Sequence, residues 1–201
     1  MIIPWLATQP TLQSAQQLLG MKLSLANCSG LIVETEAYLG VRDQAAHAFG
    51  NRHTKRNHSL FLEAGTVYVY QMRQYCLLNI VTQTADIPEC ILIRALEPIA
   101  GLADMAQRRH QTGVGLTNGP GKLCQALAID RQLDGTVLND GQLKLTPTAY
   151  RPQNIAVGPR IGIPNKEPWT SAPLRFYVSG NPFVSGLPRR DQDRKMKGWQ
   201  A

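Results

Sequence analysis

The chain has 201 residues, of which 43% are hydrophobic and 17% are charged, so it can form one domain with a sizeable core and is too apolar to be disordered. No stretch approaches the roughly 20 consecutive apolar residues of a membrane-spanning helix, and residues 1–10 lack the pattern of a signal peptide. We therefore predict one domain over residues 1–201, no membrane association and a cytoplasmic location.

The net charge and the cysteine spacing narrow the possible classes of protein further. The chain carries 21 Lys and Arg against 14 Asp and Glu, a formal net charge of +7, which is compatible with a polyanionic partner without identifying one. The four cysteines lie far apart among apolar neighbours, with no CxxC pair. This spacing predicts buried reduced thiols, with no disulfide framework, no metal site and no cofactor.

The first third of the chain contains a predicted helix, a strand and a loop. Apolar residues at helical spacing predict a helix over residues 10–20, with Thr11 as its N-cap and Gly20 as its end. Alternating polarity predicts a strand over residues 30–40. Residues 41–59 are rich in Arg, His, Asn and Gln, which favours a long functional loop.

The middle of the chain contains a candidate hairpin. Residues 66–70 and 75–82 are typical of strands, and four residues separate them. These four residues include neither Gly nor Asn, so we expect a longer loop in place of a tight turn.

The remaining elements are predicted from shorter patterns. We expect a strand over residues 90–96 that ends at Glu97-Pro98, a helix over 102–109, and a helix that begins at Pro120 with Lys122 facing outward. Further strands are expected over residues 142–147, 154–163 and 174–178. Residues 188–201 form a basic tail that we expect to be frayed.

One face of a predicted strand carries several titratable side chains. In the strand over residues 30–40, alternation places Glu34, Glu36 and Tyr38 on the same face, and Asp43 and His47 follow its end. For an isolated Glu-x-Glu pattern, a solvated sheet face is the ordinary interpretation. The cluster of titratable groups at one strand end makes a functional site an equal alternative.

Several short motifs follow one another over residues 9–184. They are VETEAYLG at 33–40 with Asp43 and AAH at 45–47 behind it, KRN at 55–57, GTVYVY at 65–70, Asn79, RALEP at 94–98, GPGKLCQAL at 119–127, RIGI at 160–163 and PLRFYV at 173–178. In this order they resemble the alkyladenine (3-methyladenine) DNA glycosylase family. Several motifs in one order over this length make coincidence improbable.

The resemblance implies a catalytic apparatus for breaking an N-glycosidic bond. By resemblance Glu36 is the general base that deprotonates a water, and Arg94 positions that water together with the backbone carbonyl of Ile161. Such a reaction passes through an oxocarbenium-like sugar and needs a carboxylate but no nucleophilic lysine. Glu34, on the same strand face, is the alternative base.

The resemblance also implies a pocket for a base taken out of the duplex. Tyr38, His47 and Tyr70 would supply the rings that sandwich the base, and aromatic faces suit cationic purines. Asn79 resembles the residue that sterically disfavours the 2-amino group of guanine.

The chain departs from the family pattern at the hairpin. Family members usually carry an aromatic wedge near its tip, whereas here Gln71-Met72-Arg73-Gln74 stands there and the segment is one residue shorter. Met72 or Arg73 would then fill the gap left by the flipped base.

Three further residues resemble positions that hold the DNA backbone, and these are Arg56, Tyr75 and Lys122. The implied fold is mixed α/β, one compact domain with a curved, largely antiparallel sheet flanked by helices and a protruding, DNA-inserting hairpin. The implied partner is double-stranded DNA with alkylated purines, with deaminated and etheno purines as further candidates. We expect a monomer associated with a prokaryotic nucleoid, or a nuclear protein in a eukaryote.

Two other function classes remain open from the residues. One is a catalytically weak module that binds lesions or nucleic acid, which the altered wedge and the +7 charge would suit. The other is an unrelated glycoside hydrolase that uses Glu34 and Glu36 as an acid/base pair, which requires a defined separation of the two carboxyls across a sugar.

Overall fold

The computed structural model describes residues 4–200. A curled, antiparallel sheet and three α-helices form the fold, which confirms the predicted mixed α/β class with a largely antiparallel sheet. The strands are β1 (Lys22–Leu25), β2 (Cys28–Tyr38), β3 (Val67–Met72), β4 (Tyr75–Val81), β5 (Cys90–Ala100), β6 (Lys144–Thr146), β7 (Ile155–Gly158) and β8 (Arg175–Val178). The helices are α1 (Thr11–Gln17), α2 (Leu102–Arg109) and α3 (Pro120–Leu127).

Strand β2 is the centre of the sheet, whose main order is β3-β4-β5-β2-β1-β6. One edge of β2 pairs along its length with β5. Its other edge pairs first with β1 and then, at Glu34–Glu36, with β8, which in turn pairs with β7. Every residue of β2 except the half-buried Tyr38 is buried, on both faces of the strand, so the solvated-face interpretation of Glu34 and Glu36 is wrong.

Two helix predictions agree with the structure and one start is shifted. Helix α2 has the predicted bounds, and α3 begins at Pro120 as expected. The start of α1 differs, because Pro10 occupies the N-cap position and Thr11 is already helical. The Thr11 hydroxyl instead contacts the side chains of Thr82 at 2.8 Å and Glu89 at 2.5 Å, so it bonds to distant residues and does not cap the helix.

Three strands differ from the sequence predictions. Strand β5 does not end at Glu97-Pro98 but continues to Ala100. Its register slips between the pairs Ser29–Ala100 and Gly30–Pro98, and proline is tolerated in a sheet at such a bulge. Strand β7 is shorter than the predicted 154–163 and ends at Gly158, while β1 is not predicted at all.

The hairpin has a tighter turn than expected. Met72 pairs with Tyr75, which leaves only Arg73 and Gln74 in the turn, so the expected longer loop is wrong. Arg73 adopts a positive φ of 55°. A non-glycine residue rarely adopts this conformation, so the two-residue turn is formed against the local preference.

The tail is not frayed among the described residues. Trp199 is buried, and its indole N–H donates to Glu97 at 2.9 Å. Lys197 forms an ion pair of 2.5 Å with the same carboxylate, and Asn181 donates to it at 2.8 Å. A buried carboxylate needs such partners, and Glu97 finds them in the last part of the chain.

No helix within residues 4–200 has the length and apolar character that a membrane span requires.

Candidate active site

An irregularity between β2 and β5 places Arg94 beside two carboxylates. Glu34 pairs with Ala95 and Thr35 pairs with Ile93, so Arg94 is the extra residue of β5 at this point. Such bulges redirect side chains. The guanidinium of Arg94 contacts Glu34 through Nε and Glu36 through Nη1, each at 3.1 Å to Oε1.

Glu36 is a fully buried carboxylate with donors on both oxygens. The backbone N–H of Ile161 donates to Oε1 at 2.7 Å, and the Tyr38 hydroxyl donates to Oε2 at 3.0 Å. Burial raises the pKa of Glu36, and the positive charge of Arg94 and the two hydrogen bonds oppose that rise. The result is a carboxylate that is a stronger base than an exposed glutamate.

Glu34 has a different environment. Arg175 Nε lies 2.6 Å from its Oε1, and the Ser185 backbone N–H and hydroxyl lie 2.8 Å and 2.7 Å from its Oε2. Both oxygens of Glu34 are therefore occupied by donors of the protein. The Arg94 guanidinium contacts Glu34 and Glu36 at 3.1 Å each and thus lies between the two carboxylates, which argues against their acting as an acid/base pair across a sugar.

A pocket of about 290 Å³ lies next to this cluster. The structure brings together seven of the sequence-predicted residues in its lining, and these are Tyr38, His47, Tyr70, Met72, Asn79, Arg94 and Ile161. Glu36 contacts three of them directly. The remaining lining is largely apolar, which suits a planar base with few polar contacts.

Aromatic rings form part of the lining. His47 and Tyr70 pack with their ring centroids 3.9 Å apart at 32°, and His47 Nδ1 contacts the Tyr68 hydroxyl at 2.9 Å. Burial, together with the positive charges of Arg56 and Arg52, lowers the pKa of His47 to about 4. His47 is therefore neutral at pH 7 and presents no charge that would repel a cationic base.

Asn79 is buried at the pocket and has its amide group fixed. Its Nδ2 donates to the backbone carbonyls of Tyr68 and Leu77, each at 3.2 Å. Both amide hydrogens are thereby occupied, which holds the side chain in one orientation.

Sequence reasoning missed the support behind Tyr38. Arg160 lies over the Tyr38 ring, with Cζ 4.5 Å from its centroid, and binds Asp43 through two hydrogen bonds of 2.5 and 2.9 Å. Burial and the negative charge of Glu36 raise the pKa of Tyr38 well above its ordinary value. Tyr38 therefore stays a phenol that can donate to Glu36.

Arg175 and Ser185 were also missed. The charge of the strand face could have predicted Arg175, because two carboxylates on one buried face need more than one cation. Arg160 and Arg175 both stand inside motifs that had been recognised for other residues.

The residues predicted to hold DNA lie around the pocket mouth. Met72, Tyr75 and Lys122 share a shallow groove beside the pocket, and Tyr75 packs against Gly121. Arg56 lies over Tyr70 with Cζ 4.8 Å from the ring centroid, and Arg73 is exposed at the hairpin turn.

Known proteins resemble this chain over most of its length. The family model described as Methylpurine-DNA glycosylase matches residues 5–182. The chain belongs to the methylpurine-DNA glycosylase family. It is 53% identical to a protein of Lactiplantibacillus plantarum over 98% of this chain and 97% of the relative. This relative is provisionally named a 3-methyladenine DNA glycosylase.

Two further relatives carry the same provisional name. The protein of Staphylococcus haemolyticus is 46% identical over 92% of this chain and 94% of its own length. The protein of Enterococcus faecalis is 45% identical over 96% of this chain and 87% of its own length. The methylpurine-DNA glycosylase described here is thus an enzyme of DNA base-excision repair.

Proposed function

We propose that this glycosylase flips alkylated purines, such as 3-methyladenine and 7-methylguanine, out of double-stranded DNA and hydrolyses their N-glycosidic bond. Hypoxanthine and ethenoadenine are further candidate substrates. The observation that carries the proposal is the buried Glu36 carboxylate, which contacts Arg94, Tyr38 and Ile161 at a pocket lined by aromatic rings. We propose a monomer that acts on the nucleoid in the bacterial cytoplasm, in keeping with the bacterial relatives.

The proposed chemical step uses water as the nucleophile. The water oxygen forms a bond to C1′ as the bond from C1′ to the base nitrogen breaks. The electron pair of the broken bond leaves with the base. Glu36 accepts the proton of the water, and its negative charge stabilises the oxocarbenium-like sugar. Arg94 and the backbone carbonyl of Ile161 position the water. The product is an abasic site and a free base.

Lesion choice follows from charge and shape in this proposal. A cationic base would bind between Tyr38, on the ring face opposite Arg160, and the packed pair of Tyr70 and neutral His47. A cationic base also leaves as a neutral molecule, so it needs little acid catalysis. Asn79, fixed by two backbone carbonyls, would disfavour the 2-amino group and so reject unmodified guanine. The weak glycosidic bond of the cationic 7-methylguanine would still allow its release.

An excision assay tests the proposed function. The unmodified protein should release free 3-methyladenine, 7-methylguanine, hypoxanthine or ethenoadenine from lesion duplexes in single-turnover reactions with excess enzyme. No lysine lines the pocket within the described residues, so borohydride should trap no covalent protein–DNA adduct. Binding without base release would identify a lesion-binding module, and a trapped adduct would direct attention to Lys55 and Lys122.

The hairpin tip gives a second test. We propose that Met72 is the inserted side chain, because it is half exposed and lines both the base pocket and the neighbouring groove. Met72→Ala should then weaken excision of hypoxanthine from duplex DNA with little change in the salt dependence of binding. Arg73→Ala should instead reduce the slope of log affinity against log salt by about one ion equivalent.

A matched control keeps this test specific. Gln74→Ala changes the other, uncharged residue of the turn and should alter neither quantity substantially. The effects should be larger for hypoxanthine in a stable pair than for an unpaired lesion, because unpairing is the step that a wedge supports. If the double variant Met72→Ala/Arg73→Ala excised hypoxanthine as the unmodified protein does, the tip would not be a wedge, and Tyr75 would be the next candidate. Arg56 and Lys122 would contact phosphates in either case.

A further inference from the structure

The second carboxylate of the site, Glu34, is wholly buried but is not used in the proposed reaction. It accepts from Arg94 Nε at 3.1 Å, from Arg175 Nε at 2.6 Å and from Ser185 on its other oxygen. The partners on β8 and on the segment after it leave Glu34 no rotational freedom. A carboxylate fixed in this way is a rigid acceptor for Arg94.

The cluster is balanced in charge. Two carboxylates, Glu34 and Glu36, face two guanidinium groups, Arg94 and Arg175, and Arg94 alone contacts both carboxylates. The Nε of Arg94 points to Glu34, while Nη1 points to Glu36. Its position is therefore set by a competition between the two acids.

We propose that Glu34 is a positioning residue for catalysis: together with Arg175 it holds Arg94 by Nε and prevents Arg94 from pairing fully with Glu36. This inference rests on the proposed role of Glu36 as the general base. It assigns to Glu34 and Arg175 the task of keeping Arg94 available to a water and Glu36 basic enough to take a proton.

The reason lies in what Arg94 would do without Glu34. A buried guanidinium Nε without an acceptor is costly, so Arg94 would turn toward the remaining carboxylate. A closer Arg94–Glu36 pair would favour the ionised form of Glu36 and make it a weaker base. Without Arg175, Glu34 would attract Arg94 more strongly and leave Glu36 less compensated, which favours its protonated form.

The other groups that face Glu36 do not change in this comparison. Strand β2 contributes Tyr38, which donates to Glu36, and the segment after β7 contributes the Ile161 N–H. Arg160, from the same segment, lies behind Tyr38 and is neutralised by Asp43. Strands β5 and β8 contribute Arg94 and Arg175.

The test is the pH dependence of single-turnover excision of hypoxanthine, a base that stays neutral over the acidic range. For the unmodified protein we expect the rate to fall as Glu36 becomes protonated. Glu34→Gln should move this acidic limb to lower pH by about one unit or more, and Arg175→Gln should move it to higher pH. The plateau rate of Glu34→Gln should fall by up to about 100-fold, as for a displacement of about 1 Å.

The opposite direction of the two shifts excludes general damage to the fold. The fall in the plateau rate of Glu34→Gln excludes a change in charge alone, because loss of a charge without movement of Arg94 would shift the limb and leave the plateau unchanged, an outcome that would overturn the inference. Glu97→Gln is the matched control, since it alters a buried, ion-paired carboxylate that contacts the tail and should leave the acidic limb in place. Shifts of equal sign, or an unmoved limb in both variants, would overturn the inference. If Glu34→Gln does not fold, Arg175→Gln alone tests the proposal. An acidic limb that does not move to higher pH in Arg175→Gln would contradict it.

A measurement without substrate separates this inference from the proposed function. The titration of the Glu36 carboxyl carbon, followed by ¹³C NMR in the free proteins, should show the same two opposite shifts. If Glu36→Gln excised bases normally, the general-base role in the proposed function would fail, while the titration of Glu36 would still report on the competition for Arg94. If the titration showed no opposite shifts, the positioning role would fail even in an active glycosylase.

Discussion

Glu36→Gln should lose about 10²- to 10⁴-fold in the single-turnover rate of 3-methyladenine excision, because an amide cannot accept the proton of the attacking water. The amide is nearly isosteric: its oxygen can still accept from the Ile161 N–H, and its NH2 group can donate to the Tyr38 hydroxyl oxygen, the two groups that contact Glu36 at 2.7 and 3.0 Å. The fold and the pocket should therefore persist. The measurement is base release with enzyme in excess, so that product release does not limit the rate.

Binding is the control for this variant. Glu36 is buried and contributes little to holding the DNA backbone, so affinity for a duplex with an abasic-site analogue should remain close to that of the unmodified protein. Excision at the unmodified rate would contradict the assignment of the base and would make Glu34 the next residue to replace. Loss of binding together with activity would indicate a damaged fold.

Asp43→Ala should destabilise the protein by about 3–5 kcal/mol, since it leaves the buried Arg160 guanidinium without its counter-charge. For a chain of this size that corresponds to a fall in melting temperature of roughly 6–20 °C. Asp43 also accepts from the backbone N–H groups of Leu39 and Ala45, which adds to the loss. Thermal unfolding followed by circular dichroism measures the effect.

The double variant Asp43→Asn/Arg160→Met tests the cause. It removes both charges, while the asparagine oxygen can still accept one backbone N–H, so it should unfold at a higher temperature than Asp43→Ala. If Asp43→Ala were as stable as the unmodified protein, the ion pair between Asp43 and Arg160 would not contribute to the stability of the fold. If the double variant were the less stable of the two, packing of Arg160 on Tyr38 would matter more than its charge.

Local sequence was sufficient for most helices and for the face that carries the chemistry. Helix α2 and the start of α3 follow from apolar spacing and from Pro120, which are short-range signals. The alternation that aligns Glu34, Glu36 and Tyr38 also comes from neighbouring residues. The family motifs then assigned roles that alternation alone left open, and these roles stay predictions until the variants are measured.

Long-range contacts explain what sequence did not provide. The bulge that turns Arg94 toward both carboxylates depends on the register between β2 and β5, which no local pattern encodes. Strand β1 alternates polar and apolar residues but is only four residues long, which is too short for the alternation to identify a strand by itself. The tail is ordered by Glu97, 102 residues before Trp199, so its composition alone indicated fraying.

The distance along the chain between Glu34 and its partners has a consequence for biosynthesis. Arg175 and Ser185 follow Glu34 by 141 and 151 residues, so the carboxylate cluster cannot close until most of the polypeptide has left the ribosome. A nascent chain that exposes only its first half has Glu36 and Arg94 but lacks the strands that cover them. Chains interrupted during translation would therefore carry Glu36 and Arg94 without the partners that complete the carboxylate cluster.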